Sequence, residues 1–260
     1  RQVAGVDARE LLLDAALTLF AERGIAGTTI AEIAARVGVT PAMVHYYFSN
    51  RDRLLDAAEF EFAAVGLSGA RVDTIARRAK INKQLIYYHF GDKDSLYQAV
   101  LERAYSRIRE KEFGLDLASD DPIIAMRTLV GFTFDYCIEN RAFVRLLINE
   151  NVLEGRFIRR SKAIRQSGSP LSALLHDTVQ RGVELGTFHR DVDPVQLYIS
   201  IAGLCYFYVS NMYTLSALFE RDLDRPSALQ ERRQHVIDVV LAYLGAGTPA
   251  WHAGELNSMP

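Results

Sequence analysis

Leu12–Ala58 reads LLDAALTLFAERGIAGTTIAEIAARVGVTPAMVHYYFSNRDRLLDAA, and Leu54–Val100 reads LLDAAEFEFAAVGLSGARVDTIARRAKINKQLIYYHFGDKDSLYQAV. The second stretch repeats the first without a gap, its start moved from residue 12 to residue 54. Leu13 pairs with Leu55, Asp14 with Asp56, Ala15 with Ala57, Phe20 with Phe62, Gly24 with Gly66, Gly27 with Gly69 and Ile33 with Ile75. The register continues through Ala34/Ala76, Arg36/Arg78, Tyr46/Tyr88, Phe48/Phe90 and Asp52/Asp94. Fixed-period self-similarity marks a repeated supersecondary unit.

In the first copy, apolar residues at helical spacing (Leu11, Leu12, Ala15, Ala16, Leu19, Phe20) predict an amphipathic helix that Gly24 ends. Thr28 is the expected cap of a short helix 29–36, with Glu32 in its first turn. Gly38 turns the chain, Thr40 caps again, and Pro41 takes the first helical position, where its missing N–H costs nothing. The helix 41–47 is placed to enter a groove, and Asn50 is the expected cap of the next helix, 51–65. The second copy repeats the cycle with helices 71–79 and 83–89, a cap at Asn82 and another at Asp92. It departs from the first in two places. Lys80 stands where Gly38 turns, a site favouring positive φ, at a cost of roughly 1 kcal/mol. Ala70 replaces the expected cap Thr28, a further loss of about 1 kcal/mol unless a neighbour compensates.

Helix 51–65 must serve both copies. Leu54, Leu55 and Ala58 would then face two cores, although one helix buries only about a 100° stripe against each. Glu59 and Glu61, in the places of Leu17 and Leu19, narrow the second copy's stripe further. Either the helix is buried on two sides or one copy packs loosely.

Beyond Tyr97 the pattern changes to long helices, expected near 93–113, 122–138, 141–152, 170–186, 193–222 and 226–245. The fold class is therefore all-α: tandem three-helix, homeodomain-like units, then a helical domain. The divisions are 8–50 for the first helix-turn-helix unit, 51–96 for the second, 97–245 for the helical domain, and 246–260 for a tail expected to be disordered.

At 260 residues, 49% hydrophobic and 24% charged, the chain has the composition of a soluble globular protein. No apolar run approaches the roughly 18 residues that span a bilayer. Arg1–Gly5 carries no apolar signal-peptide core, so the expected setting is the cytoplasm, with no membrane partner. Cys137 and Cys205, both in apolar helical patterns, read as buried inert thiols. The net charge of -2 conceals a basic segment. Between Arg71 and Lys93 lie Arg77, Arg78, Lys80 and Lys83, opposed by Asp73 and Asp92. A charge cluster is usually solvated surface, but on a helix-turn-helix it points to phosphate.

Ala15-Ala16, Leu19-Phe20, Gly24, Thr28-Thr29-Ile30, Ile33-Ala34, Gly38-Val39-Thr40, Tyr46-Tyr47-Phe48, Arg51 and Leu54 together resemble the DNA-binding signature of the tetracycline-repressor (TetR/AcrR) family of transcriptional regulators. Leu54-Leu55, Ile75-Ala76 and Ile86 to Leu96 match it independently a second time. The helical remainder, to about Leu244, is similar in organisation to that family's ligand-binding and dimerisation domain.

An α-helix fits the major groove, its first residues meeting base edges while neighbours hold phosphates. In the second copy Asn82, Lys83, Gln84 and Tyr87 stand at the start and exposed face of that helix, and Arg71, Tyr88, His89 and Lys93 are placed for the backbone. The corresponding set in the first copy is Thr29, Thr40, Ala42, His45, Tyr46 and Arg51, with fewer charges. Phe48 and Phe90 read as closing the miniature cores. In the helical domain Phe132, Tyr136, Phe143, Leu147, Phe157, Tyr206 and Met212 are the expected effector-pocket residues; a plain core is the competing reading for any one of them. By the resemblance, the last two long helices pair with their copies in a homodimer.

The expected function is a ligand-responsive regulator, a repressor released from a double-stranded DNA operator by a small-molecule effector. Constitutive architectural binding without a ligand is the main alternative. The chain has no metal-spaced His/Cys cluster, phosphate loop or nucleophile elbow, so neither catalysis nor a cofactor or metal is expected.

Overall fold

The computed structural model describes residues 8–23, 28–115, 117 and 121–245, apart from the side chains of 8–10, 13, 20, 23, 45–50 and 169. The expected tail therefore lies outside the described residues. Among the described residues the regular structure is all helix. In order these are α1 (Ala8–Arg23), α2 (Ile30–Val37), α3 (Pro41–Gly69), α4 (Val72–Ala79), α5 (Lys83–Phe90), α6 (Lys93–Phe113) and α7 (Pro122–Glu139). There follow α8 (Arg141–Val152), α9 (Arg156–Arg160), α10 (Lys162–Gln166), α11 (Gly168–Glu184), α12 (Pro194–Ser210), α13 (Met212–Leu218) and α14 (Pro226–Leu244).

The long helices fall close to the expected spans, because caps and prolines set their starts. Asp121 accepts from the N–H of Ile123 at 2.7 Å ahead of Pro122, and Asp193 accepts from Val195 at the same distance ahead of Pro194. Two spans differ. The single helix expected over 193–222 is broken at Asn211 into α12 and α13, and the short helices α9 and α10 occupy a stretch without clear periodicity.

The largest difference is α3. Helices 41–47 and 51–65 are one continuous helix, with no cap at Asn50, and its one departure from helical geometry is Gly66, with φ 70 and ψ 177. The second copy explains why. There Gly91 takes φ 78, its N–H reaches the Tyr87 carbonyl at 2.8 Å, and Asp92 caps α6 by accepting from Ser95 at 2.7 Å. Ser49 stands in the place of Gly91, and a serine carries the helix on where a glycine lets the chain turn.

The chain divides into two compact units. One holds α1, α2, α4, α5, α3 up to residue 61 and α6 up to residue 97; the other holds residues 62–68 of α3 and the helices from residue 98 onward. Apart from residues 62–68 and 98–100 of the second copy, both helix-turn-helix copies lie in the first unit. Among the described residues, the first copy's core is Leu12, Ala15, Ala16, Leu19, Ile33, Ala34 and Val44. Neither Leu54 nor Leu55 is among these described core residues. Leu54, Leu55, Ala57, Ala58 and Phe62 are all buried, an arc wider than one stripe.

In the second unit α7, α11, α12 and α14 share a core around Leu129, Phe134, Leu175, Ile201, Val236 and Leu241. Cys137 and Cys205 are free buried thiols within it, as the sequence predicts; burial pushes Cys137 up to about 12 and Cys205 higher still, so neither is a nucleophile at neutral pH. At the kink in α3, the Asn149 amide donates to the Phe62 carbonyl at 3.0 Å, binding α8 to the last turns of α3.

Candidate nucleic-acid interface

The second copy builds its candidate interface from two short helices and a tight turn. The N-cap of α4 is Arg71, one residue later than the expected Ala70 and in the place of Thr29, and it makes no side-chain cap. Glu61 compensates in part: its Oε1 lies 3.5 Å from the Arg71 N–H it accepts from. Lys80 ends α4 in the left-handed region, φ 56 and ψ 44, and its N–H bonds to the carbonyls of Ala76 and Arg77. The expected strain at this turn is therefore present. α5 is capped by Asn82, whose side chain accepts from Gln84 at 2.9 Å. Buried Ile75, Ala76 and Ile86 hold the two helices together.

That packing leaves Lys83, Gln84, Tyr87 and Tyr88 exposed, the two tyrosines at 46% and 54%. Lys83 pairs with Asp73 at 2.9 Å, and this hydrogen bond raises the ammonium's pKa, so the charge is held at any physiological pH. A pair this exposed is worth little and exchanges readily for a phosphate. His89 is half-buried, edge-on to Tyr88 at 5.3 Å and to Phe90 at 6.2 Å. Lys93 donates to the Ala70 carbonyl at 3.2 Å, joining the start of α6 to the head of α4. Arg71 is exposed. Arg78, one of the basic residues expected to face phosphate, lies with its guanidinium 3.6 Å from the centroid of the Phe60 ring.

The first copy spends its polar groups on itself. The cap of α2 is Thr29, one residue later than expected, in a complete capping box. Thr29 accepts from the Glu32 N–H at 3.3 Å, and the Thr29 N–H donates to Glu32 Oε2 at 2.8 Å. Thr40 accepts from Met43 at 3.3 Å, and Ala42 is exposed. Arg36 is paired with Glu22 at 3.1 Å. Arg51 does not stand free at the first copy's face: its guanidinium is 5.6 Å from the Phe90 ring of the second copy. The side chains of His45 and Tyr46 lie outside the described residues.

In the helical unit the structure joins three of the seven expected pocket residues through their rings. Phe132 is 5.8 Å from Tyr136, and Tyr136 is 5.6 Å from Phe143. Phe132 and Tyr136 also line an open groove of about 480 Å³ beside the Arg233–Asp135 pair. Met212 belongs to the main core and Tyr206 packs against it. Leu147 is half-buried. Phe157 is buried at the corner of α8 and α9, with the guanidinium groups of Arg156 and Arg160 at 5.1 and 5.7 Å from its ring. Sequence reasoning passed over Tyr105, which is edge-on to Phe143 at 5.7 Å, and the buried pair Arg109–Glu112. The spacing Leu101, Ala104, Ile108 carried the signal, since the next place on that buried face is Glu112.

Comparison with known proteins matches this architecture. The model of the tetR family of bacterial regulatory proteins matches residues 12–58 and again 54–100, and that of the tetracyclin repressor-like C-terminal domain matches residues 122–240. The chain belongs to the TetR family of transcriptional regulators. The HTH-type transcriptional repressor NicS of Pseudomonas putida is 36% identical over 233 residues, 90% of each chain. A match of that length includes part of the first copy. The regulator BetI of Brucella anthropi is 43% identical over 45 residues, 17% of this chain and 23% of its own. Among solved structures, the fatty acid degradation regulator FadR from Bacillus halodurans superposes with a TM-score of 0.60 at 19% identity, over 76% of this chain and 97% of its own. The ketosteroid regulator KstR2 of Mycobacterium tuberculosis does so at 0.57 and 20%, over 75% and 94%. These solved structures share the fold. No helix among the described residues is long and apolar enough to cross a membrane.

Proposed function

We propose that this TetR-family protein is a cytoplasmic, homodimeric repressor that reads its operator through the second helix-turn-helix copy and is released by a small molecule held among the C-terminal helices. The observation that carries the reading is the head of α5: a capped helix N-terminus with Lys83, Gln84, Tyr87 and Tyr88 exposed around it. Gln pairs bidentately with adenine and Lys with guanine or phosphate, while tyrosine hydroxyls and helix N-termini hold the backbone.

Dimerisation through α12 and α14 is supported by their outer faces. Val195, Ile199, Phe207, Val239 and Tyr243 are exposed, and Leu197, Gly203 and Leu204 help line an apolar groove of about 450 Å³ between the two helices. An isologous contact on that face would set two α5 helices about one DNA turn, roughly 34 Å, apart or near a multiple of it. The effector acts by changing that spacing, with a coupling of about 1–3 kcal/mol. The named repressor among the relatives, and structural relatives titled for fatty acid and ketosteroid regulation, support the same scheme.

The test is a thermal-shift screen of metabolites followed by operator titration with each compound that binds. The expected result is at least one ligand that stabilises the protein and weakens operator affinity about 5- to 150-fold. Constant operator affinity across every bound ligand would leave constitutive DNA binding as the better account.

A further inference from the structure

Three charged side chains among the described residues are almost wholly withdrawn from water: Arg109, Glu112 and Glu150. Glu150 has a structural task, because its Oε1 accepts the N–H groups of Phe157 at 2.6 Å and Ile158 at 3.0 Å at the start of α9. The Arg109–Glu112 pair has no comparable task. A buried ion pair is poor evidence of a stabilising role, since well-packed apolar side chains of similar size serve at least as well.

The hydrogen bonds of the guanidinium show what is missing. Arginine presents five N–H groups in a rigid fork. Nη1 of Arg109 is bound to Glu112. Nη2 has only a long contact to the Tyr198 hydroxyl, 3.3 Å. Nε is buried and has no acceptor. The Nε–Nη2 edge is the side of the fork that grips a carboxylate through two parallel bonds, and here it lacks a strong partner.

The surroundings suit an organic acid. Tyr105 lies one turn before Arg109 on α6; burial pushes its phenol up to about 12, so it remains an O–H donor at neutral pH. Tyr105 meets Phe143 edge-on at 5.7 Å, and Phe143 meets Tyr136 at 5.6 Å, giving an aromatic lining beside the charge. The Lys111 ammonium, 5.4 Å from the Tyr136 ring, adds a second positive charge. Glu112 and the buried Glu150, whose charge also bears on Tyr105, oppose these two cations, so the pull on an acid comes from the open Nε–Nη2 edge and not from an excess of positive charge.

We propose that the Nε–Nη2 edge of Arg109 is the receptor for the carboxylate of a small organic acid with an apolar, ring-bearing body. The phenols of Tyr105 and Tyr198 flank the carboxylate, Glu112 keeps its hold on Nη1, and the rings of Phe143 and Tyr136 cover the body. This names the ligand class of the effector site and rests on the reading that the C-terminal helices hold the effector.

The experiment uses the full chain with benzoate, phenylacetate and 3-phenylpropionate, each beside its primary amide, and with benzylamine. Binding is read by thermal shift and titration calorimetry, and operator affinity by fluorescence anisotropy. At least one acid is expected to bind at least about tenfold tighter than its amide. Arg109→Lys, which keeps the charge and loses the fork, is expected to weaken that acid by a similar factor. Arg109→Met with Glu112→Leu replaces the pair by apolar side chains; it is expected to give a native circular dichroism spectrum and to lose the acid response. Amides that bind as well as acids, a preference for benzylamine, or acid binding that survives in the double variant would each overturn the assignment. The two readings fail separately. A neutral compound that binds here and releases operator removes the carboxylate receptor and leaves the effector scheme. Acids that bind through Arg109 while operator affinity stays fixed remove the scheme and leave the receptor.

Discussion

Thr29 and Arg71 hold equivalent places at the heads of α2 and α4, and Ser49 and Gly91 hold equivalent places after the aromatic clusters Tyr46-Tyr47-Phe48 and Tyr88-His89-Phe90. At each pair the two copies have made opposite choices. The first copy has the better local structure: a reciprocal capping box at Thr29 and a glycine at the left-handed turn, Gly38 at φ 75. The second has an uncapped helix head and a lysine forced to φ 56, yet it keeps a free-standing α5 bounded by Gly91 and Asp92. In the first copy the corresponding segment is the opening of the 29-residue helix α3. Good local capping and a short, separately bounded third helix are therefore separate properties, and one duplicated sequence has divided them between its copies.

The largest expected effect tests where DNA is read. Lys83→Ala with Tyr88→Ala should lower specific operator affinity by about 100-fold or more, at one fixed salt concentration, while His45→Ala with Tyr46→Ala changes it less than about threefold. Equal losses from both pairs would break the comparison. The next effect is on stability. Thr29→Ala removes the side-chain half of a capping box and should cost about 1 kcal/mol, whereas Arg71→Ser adds a cap and should gain up to about 1 kcal/mol. Denaturation midpoints at constant m-value check both signs. A gain from Thr29→Ala would mean the box is strained. The smallest effect comes from deleting residues 1–48, which should leave footprint length and salt slope almost unchanged. Each lost phosphate contact would make the slope shallower by nearly one unit, so even two such contacts by the first copy would be visible.

Most of the fold was legible in the sequence because caps and prolines are local signals. Asp121-Pro122 and Asp193-Pro194 place the starts of α7 and α12 to the residue. Continuity through Phe48–Arg51 was not legible, because Ser-Asn is compatible with both a cap and a helix interior, and the second copy suggested the cap. The exposed head of α5 could be read from register alone. The burial of Glu112 could be read from the spacing of Leu101, Ala104 and Ile108, but the contact of Arg109 with Tyr198 on α12 could not, since it is far away in sequence. Arg51 shows the same limit: its place over Phe90 belongs to the partnership of the copies and to neither pattern separately.

Because α3 runs unbroken from Pro41 to Gly66, the bearing of the first copy about that axis is fixed by residue count, as the setting of a gear is fixed by its teeth. One residue inserted after Asn50 turns α1 and α2 by about 100° and carries them about 1.5 Å along the axis. Seven inserted residues, close to two full turns, return them to nearly the same bearing about 10 Å farther out. Insertions and deletions in this stretch thus act by angular phase, and their effects should recur with the helical period instead of growing with length.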